Sequence, residues 1–162
     1  MESKLKDICL VISDFDGVFT DNMVCVDENG IESVFCNRSD GIGISNLKKE
    51  GIEIIIVSTE INNVVRKRAE KLRIECFSAV ENKKELVRRI TEERNVPLDK
   101  VAYIGNDVND LECMKTVGLA VAVNDAYPEI IEIADIILKK TGGHGAVREF
   151  CDMYILSKNE EC

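Results

Sequence analysis

Ile8-Cys9-Leu10-Val11-Ile12-Ser13-Asp14-Phe15-Asp16-Gly17-Val18 decides the fold. The first five residues form an apolar run, and such a run reads as a strand buried on both faces. Two carboxylates two positions apart follow it, and then a glycine. Folding brings these like charges together where the strand leaves the sheet. That is costly unless a cation sits between them or one is protonated. Asp14 and Asp16 therefore ask for a metal, a proton, or a reaction that uses both.

Outward from this stretch, Met23-Val24-Cys25-Val26 and Ile31-Glu32-Ser33-Val34-Phe35 flank Asp27-Glu28-Asn29-Gly30. Asn-Gly between two β-prone runs signals a hairpin, here a flap over about 23–35. A helix is expected from Ser39-Asp40-Gly41 to Lys49, with Asp40 either its N-cap or a residue near substrate, and Gly51 its stop. Strands are expected at 52–57, at Cys76-Phe77, at 101–104, at 119–123 and at 136–138. Helices are expected at about 62–72, 84–94, 109–116, 128–134 and 146–156, with 157–162 frayed. Strands alternating with helices predict an α/β fold, a doubly wound Rossmann-like parallel sheet. Ligands of such sheets bind beyond the carboxyl ends of the strands. Three strands end in polar clusters there: Asp14/Asp16, Ser58-Thr59-Glu60 and Asp107/Asp110.

A chain of 162 residues suits one domain, 1–162, with a full core. A net charge of −9 disfavours nucleic acid and anionic membranes as partners, while leaving room for a small anionic substrate. Seven scattered cysteines without a C-x-x-C pair, and an N-terminus without a leader pattern, point to a reducing cytoplasm. No apolar run reaches membrane-spanning length. Asp14, Asp16 and Asp107 offer hard oxygen ligands that suit Mg²⁺. Ser58 adds a hydroxyl, and Lys83 brings a positive charge. A carboxylate nucleophile, an acid/base, Mg²⁺, a hydroxyl and a lysine are the parts of phosphoryl transfer through an aspartyl-phosphate.

Asp14-x-Asp16-Gly17-Val18, Ser58, Lys83 and Gly105-Asn106-Asp107-x-x-Asp110 resemble, in order, the four motifs of the haloacid dehalogenase superfamily. Over about 7–156 the chain looks like its small capless phosphatases of 2-keto-3-deoxy sugar acids. These act on 3-deoxy-manno-octulosonate 8-phosphate or on sialic acid-type nonulosonate 9-phosphates. The resemblance implies Asp14 as nucleophile and Asp16 as acid, then base. It implies Mg²⁺ on the Asp14 carboxylate, the Asp16 main-chain carbonyl and Asp107. Ser58 and Lys83 would hold the phosphoryl oxygens, with Asp110 supporting the metal waters or Lys83. It also implies the absence of a cap domain and a homotetramer whose neighbouring subunits close each site. Ser58-Thr59-Glu60 stands where the octulosonate enzymes carry Thr-Gly-Arg, Ser39 where they carry Arg, and His144 where they carry the Arg of Gly-Gly-Arg-Gly. The nonulosonate enzymes instead pair a glutamate with an arginine and a lysine on the next helix, here Glu60, Arg68 and Lys71. The resemblance therefore favours a nonulosonate 9-phosphate as substrate, with octulosonate 8-phosphate as the alternative. Two other classes compete: a phosphorylatable receiver domain, and a non-catalytic oligomerisation domain of the kind associated with cytidylyltransferases.

Overall fold

The computed structural model describes residues 2–159, with side chains from residue 4 onward. Six parallel strands form one sheet in the order β5-β4-β1-β6-β7-β8: β1 Leu10–Ser13, β4 Glu53–Val57, β5 Glu75–Phe77, β6 Val101–Gly105, β7 Leu119–Ala122 and β8 Ile136–Ile137. The strand that opens into Asp14 lies inside the sheet. Ser13 is paired with Ile56 of β4 on one side and Ile104 of β6 on the other.

Strand side chains alternate between two apolar layers. Val11, Ile54, Ile56 and Ile104 face one, with Leu5 of α1 (Glu2–Lys6), Leu47 of α2 (Arg38–Lys49), Val65 of α3 (Asn63–Leu72) and Phe150 of α7 (Ala146–Asn159). Leu10, Ile12, Ile55 and Tyr103 face the other, with Val87 and Ile90 of α4 (Lys83–Glu93), Met114 of α5 (Leu111–Met114) and Ile130 of α6 (Pro128–Ile133). Helices on both faces make this the doubly wound sheet expected from the sequence.

The flap is a hairpin of β2 (Cys25–Val26) and β3 (Glu32–Ser33), paired antiparallel outside the main sheet. Its turn is closed by Asp27 Oδ1, which accepts from the N–H groups of Asn29 and Ile31, and Gly30 takes a φ of +77°. A bridge between Thr20 and Cys36 closes its base. No further strand or helix lies between Asp14 and Ser58 except the flap, α2 and β4, so no cap domain intervenes there.

Three local expectations are corrected. Asp40 does not cap its own helix: Asn37 does, its side chain accepting from Ser39 N–H, and α2 begins at Arg38. Asp40 instead reaches across to α7 and accepts from Arg148 N–H at 3.0 Å, capping that helix's first turn. The helix expected at 109–116 is a 3-10 turn, Val108–Asp110, followed by the short α5. Residues 157–159 are helical rather than frayed, because α7 runs on to Asn159; 160–162 lie outside the described residues.

Candidate active site

Asp14 follows β1 directly. Its N–H donates to Ile104 O at 3.0 Å, so sheet pairing holds its main chain in place. Its Oδ1 accepts from Phe15 N–H at 2.7 Å, and its Oδ2 lies 2.9 Å from Lys83 Nζ. Lys83 opens α4 behind the N-cap Asn82, and its ammonium reaches Asp110 Oδ1 at 2.8 Å as well. Asp110 is fully buried and gathers more donors: Tyr103 Oη–H at 2.7 Å on Oδ1 and Asn106 N–H at 3.0 Å on Oδ2. Asp107 caps the turn that carries Asp110, and the two carboxylates cap reciprocally. Asp110, the supporting residue of the sequence reading, thus touches Lys83 directly.

The register of the sheet brings in the other arm. With Ser13 opposite Ile56, Ser58 lies one step beyond the level of Asp14 on the adjacent strand. Ser58 is buried; its N–H donates to Phe77 O at 2.8 Å, and its Oγ accepts from Glu60 N–H at 3.1 Å. Thr59 and Glu60 are exposed above it.

Burial, then the Asp110 carboxylate, pushes Asp14 up to about 8 against the pull of Lys83. Burial, then Glu60, raises Asp16 to about 6. Burial works to lower Lys83, but Asp14 and Asp110 outweigh it and the ammonium is held above its ordinary value. Negative charge is therefore in excess around a single buried lysine, which is the environment a divalent cation relieves.

The residues present fit such a cation. Among the described residues no three carboxylate, imidazole or thiol side chains gather into an all-protein cage. Mg²⁺ does not need one: it binds through one or two carboxylates and completes its shell with main-chain oxygen, water or phosphate. Asp14 and Asp107 would supply the two carboxylates. Beside them Asn106 Oδ1 is a buried oxygen without a partner. The amide end of Asn106 presses on the loop after Asp14, where a Cβ on Gly17 would come within 2.0 Å of Nδ2. Gly17 also takes a φ of +79°, so glycine is required there twice over.

Arg68 and Lys71 are placed differently. Arg68 Nη2 donates to Asn37 O at 2.8 Å, and both residues line a groove between α2 and α3 that includes none of the aspartates. Of the three residues expected to read the sugar, Glu60 alone stands near Asp16. His144 is exposed, with Nδ1 3.1 Å from Thr141 Oγ1 and 2.8 Å from Gly142 O. Its loop packs on the loop after Asp14 through Gly143 N–H, which donates to Val18 O at 3.0 Å. Sequence reasoning missed Tyr103 and Asn106. A tyrosine in an otherwise aliphatic buried strand was the available signal, since its hydroxyl needs a partner.

A buried carboxylate at the end of an inner strand of a parallel sheet, a second carboxylate two residues on, and a buried lysine shared between the first and a third are the parts of an aspartate-dependent hydrolase. The model of the haloacid dehalogenase-like hydrolases matches residues 57–150, and the chain belongs to that family. Its relatives narrow this to phosphatases. The protein named 3-deoxy-D-manno-octulosonate 8-phosphate phosphatase KdsC in Escherichia coli K12 is 35% identical over 159 residues, spanning 98% of this chain and 85% of the relative. A Yersinia pestis phosphatase structure of the same name superposes with a TM-score of 0.94 at 32% identity, over 98% of this chain and 86% of that one. The Moraxella catarrhalis enzyme, solved with magnesium, phosphate and KDO, gives 0.94 at 30% identity, over 98% and 92%. The chain is accordingly an enzyme, a hydrolase of the phosphatase type, and the receiver and oligomerisation-domain readings are set aside. Among the described residues no helix is long and apolar enough to cross a membrane.

Proposed function

We propose that the chain hydrolyses the phosphate monoester of a 2-keto-3-deoxy sugar acid, 3-deoxy-D-manno-octulosonate 8-phosphate first. The observation that carries this is the fixed position of Asp14, held by Phe15 N–H and Lys83 at the mouth of the sheet. Similarity over nearly the whole chain to octulosonate phosphatases supports the substrate. In the first step an Asp14 oxygen bonds to phosphorus as the bond from phosphorus to the sugar oxygen breaks. Asp16 passes its proton to that oxygen. In the second, Asp16 takes a proton from water, whose oxygen displaces Asp14 and releases inorganic phosphate. Ser58 and Lys83 hold the phosphoryl oxygens. Mg²⁺ on Asp14, the Asp16 carbonyl and Asp107 would offset the charges of phosphate and carboxylate.

A nonulosonate 9-phosphate is the second reading, and the proximity of Glu60 to Asp16 favours it; the relatives favour the octulosonate. In either reading Thr59 and Glu60 read the sugar from within the chain. Arg68 and Lys71 serve a substrate only across a subunit contact. A homotetramer is part of the proposal, supported by the flap: Met23, Val24, Val26, Ile31 and Phe35 are all more than half exposed. A cytoplasmic setting agrees with the described cysteines, which are all free thiols.

The test is a Mg²⁺-dependent phosphate-release panel over both sugar acid phosphates, with Asp14→Asn as control. Turnover of the octulosonate ester well above the nonulosonate ester is expected. The reverse order would replace the first reading by the second, and undiminished turnover by Asp14→Asn would overturn the mechanism.

A further inference from the structure

Glu60 after β4 and Glu32 on the flap strand β3 are both exposed, and both lie close enough to Asp16 to raise its carboxyl. One side chain stands between the two glutamates. Asn62 Nδ2 donates to Glu32 Oε2 at 2.9 Å and reaches Glu60 Oε2 at 3.5 Å. The other end of the same amide, Oδ1, accepts from Val64 N–H at 3.1 Å and caps α3. A primary amide carries two N–H bonds and a carbonyl, so Asn62 can serve both glutamates and the helix together.

The bond to Glu32 locates the flap. Among the described residues no other hydrogen bond ties 24–33 to the rest of the chain; the remaining bonds of that stretch are internal to the hairpin. Side chains alternate along β3, so Glu32 and Val34 share one face while Ile31 and Phe35 share the other. Val34 packs against the core, which turns Glu32 toward its own chain. Ile31 and Phe35, 63% and 78% exposed, are left for a second copy. The Asn62 contact and the apolar subunit contact thus use opposite faces of one hairpin.

Among the described residues neither Glu32 nor Glu60 is paired with a lysine or arginine. Two carboxylates this close repel each other unless hydrogen-bond donors offset them. Asn62 supplies one donor to each, and the hydroxyl groups of a sugar supply more. The carboxylate and phosphate ends of a sugar acid phosphate are repelled by such a pair, so it suits the hydroxylated chain between them.

We propose that Asn62 is a positioning residue for substrate choice: it clips flap Glu32 beside Glu60, and the two carboxylates together accept the hydroxyl groups of the sugar chain. This rests on the sugar acid phosphatase reading, to which it adds Glu32 as a specificity-determining residue carried by the flap.

The test compares Asn62→Asp with Glu32→Gln/Asn62→Asp, by hydrogen exchange of the flap amides and by KM and kcat for the sugar acid phosphate that the panel selects. Asp caps a helix as well as Asn does, so α3 is kept while a third carboxylate is set against Glu32 and Glu60. Asn62→Asp should speed exchange in the flap and raise KM roughly tenfold, with kcat near that of the parent. In the double variant the introduced glutamine amide can donate to the introduced carboxylate. Exchange should then return to the parent rate and KM most of the way. Unchanged exchange, unchanged KM, or a double variant no better than Asn62→Asp would each overturn the proposal. Exchange needs no substrate, so it judges the clip even where the panel overturns the sugar acid reading.

Discussion

The buried Tyr103 hydroxyl donates to Asp110 Oδ1 over 2.7 Å, onto the same oxygen that Lys83 reaches at 2.8 Å. Asp110 is thereby fixed from the strand below and can hold Lys83 against Asp14. Tyr103→Phe removes this one bond while keeping the ring in its packed place. A hydrogen bond to a buried charged group contributes about 1.5–3 kcal/mol. Denaturant unfolding should show a loss of that size, and kcat should fall while KM changes little.

Lys83→Met should be harsher. Asp14 and Asp110 would then be left buried with no cation, and breaking a buried ion pair from one side costs about 3–5 kcal/mol. Turnover should vanish. Adding Asp110→Asn to Lys83→Met should recover part of the stability and none of the turnover, because the two residues share one network. Strictly additive losses in thermal unfolding would contradict the shared network.

Asp40 predicts a pH dependence of stability. Burial, opposed by the Arg148 N–H and by Arg68, raises this carboxyl from its ordinary 3.8 to about 6, and its Oδ2 has no partner. The folded state then holds the proton more tightly than the unfolded state. Protonation therefore favours folding, and the cost of the buried charge grows as pH rises from about 4 to 6 and stays above that. Asp40→Asn keeps an acceptor for Arg148 and removes the charge. It should be more stable than the parent above pH 6, by about 1–3 kcal/mol, with the gap closing toward pH 4. Urea midpoints across this range measure it.

Two glycines separate packing from backbone preference. A Cβ on Gly142 would lie 2.0 Å from Gly17 O and 2.8 Å from Thr20 O, in the loop after Asp14. Gly142→Ala should destabilise by about 1–3 kcal/mol and depress turnover, because main chain next to Asp16 has to shift. Gly30, at φ +77°, meets nothing within 4 Å. Gly30→Ala should cost about 1 kcal/mol and leave kcat alone.

Chelation should abolish turnover and added Mg²⁺ restore it. Asp107→Asn should raise the Mg²⁺ concentration giving half-maximal rate, by roughly tenfold or more, since a charged ligand is replaced by a neutral one. An unaltered Mg²⁺ titration would remove Asp107 from the metal site.

Asp14, Asp16, Ser58 and Asp107 were legible in the sequence because each follows an aliphatic run, and the end of such a run marks the sheet edge. Tyr103 and Asp40 were not, because their roles depend on tertiary contacts; the partner of Asp40 lies 108 positions away. The choice of Asn37 over Asp40 as cap was equally hidden. Both have capping side chains, and the Thr20–Cys36 bridge, which no local pattern announces, holds the chain next to Asn37. Helix α1 escaped notice because five residues are too few for a periodic signal; Leu5 buries into the core as α1 packs on α7. The spacing of Arg68 and Lys71 correctly placed them on one helix. Packing then turned that stretch toward α2.

Because β1 is hydrogen-bonded along both edges, the distances between Asp14, Ser58 and Asp107 are set by the spacing of the sheet itself. The residues that would read the sugar hang outside that lattice, on Thr59 and Glu60 and on a flap with its own two strands. Under the proposed function, reaction and choice of sugar are thus mechanically uncoupled. Amides of β1 should exchange with solvent only on global unfolding, while those of the flap exchange through local opening. A lineage could exchange one acid sugar for another by rewriting a few exposed positions, with the phosphorus chemistry never having to move.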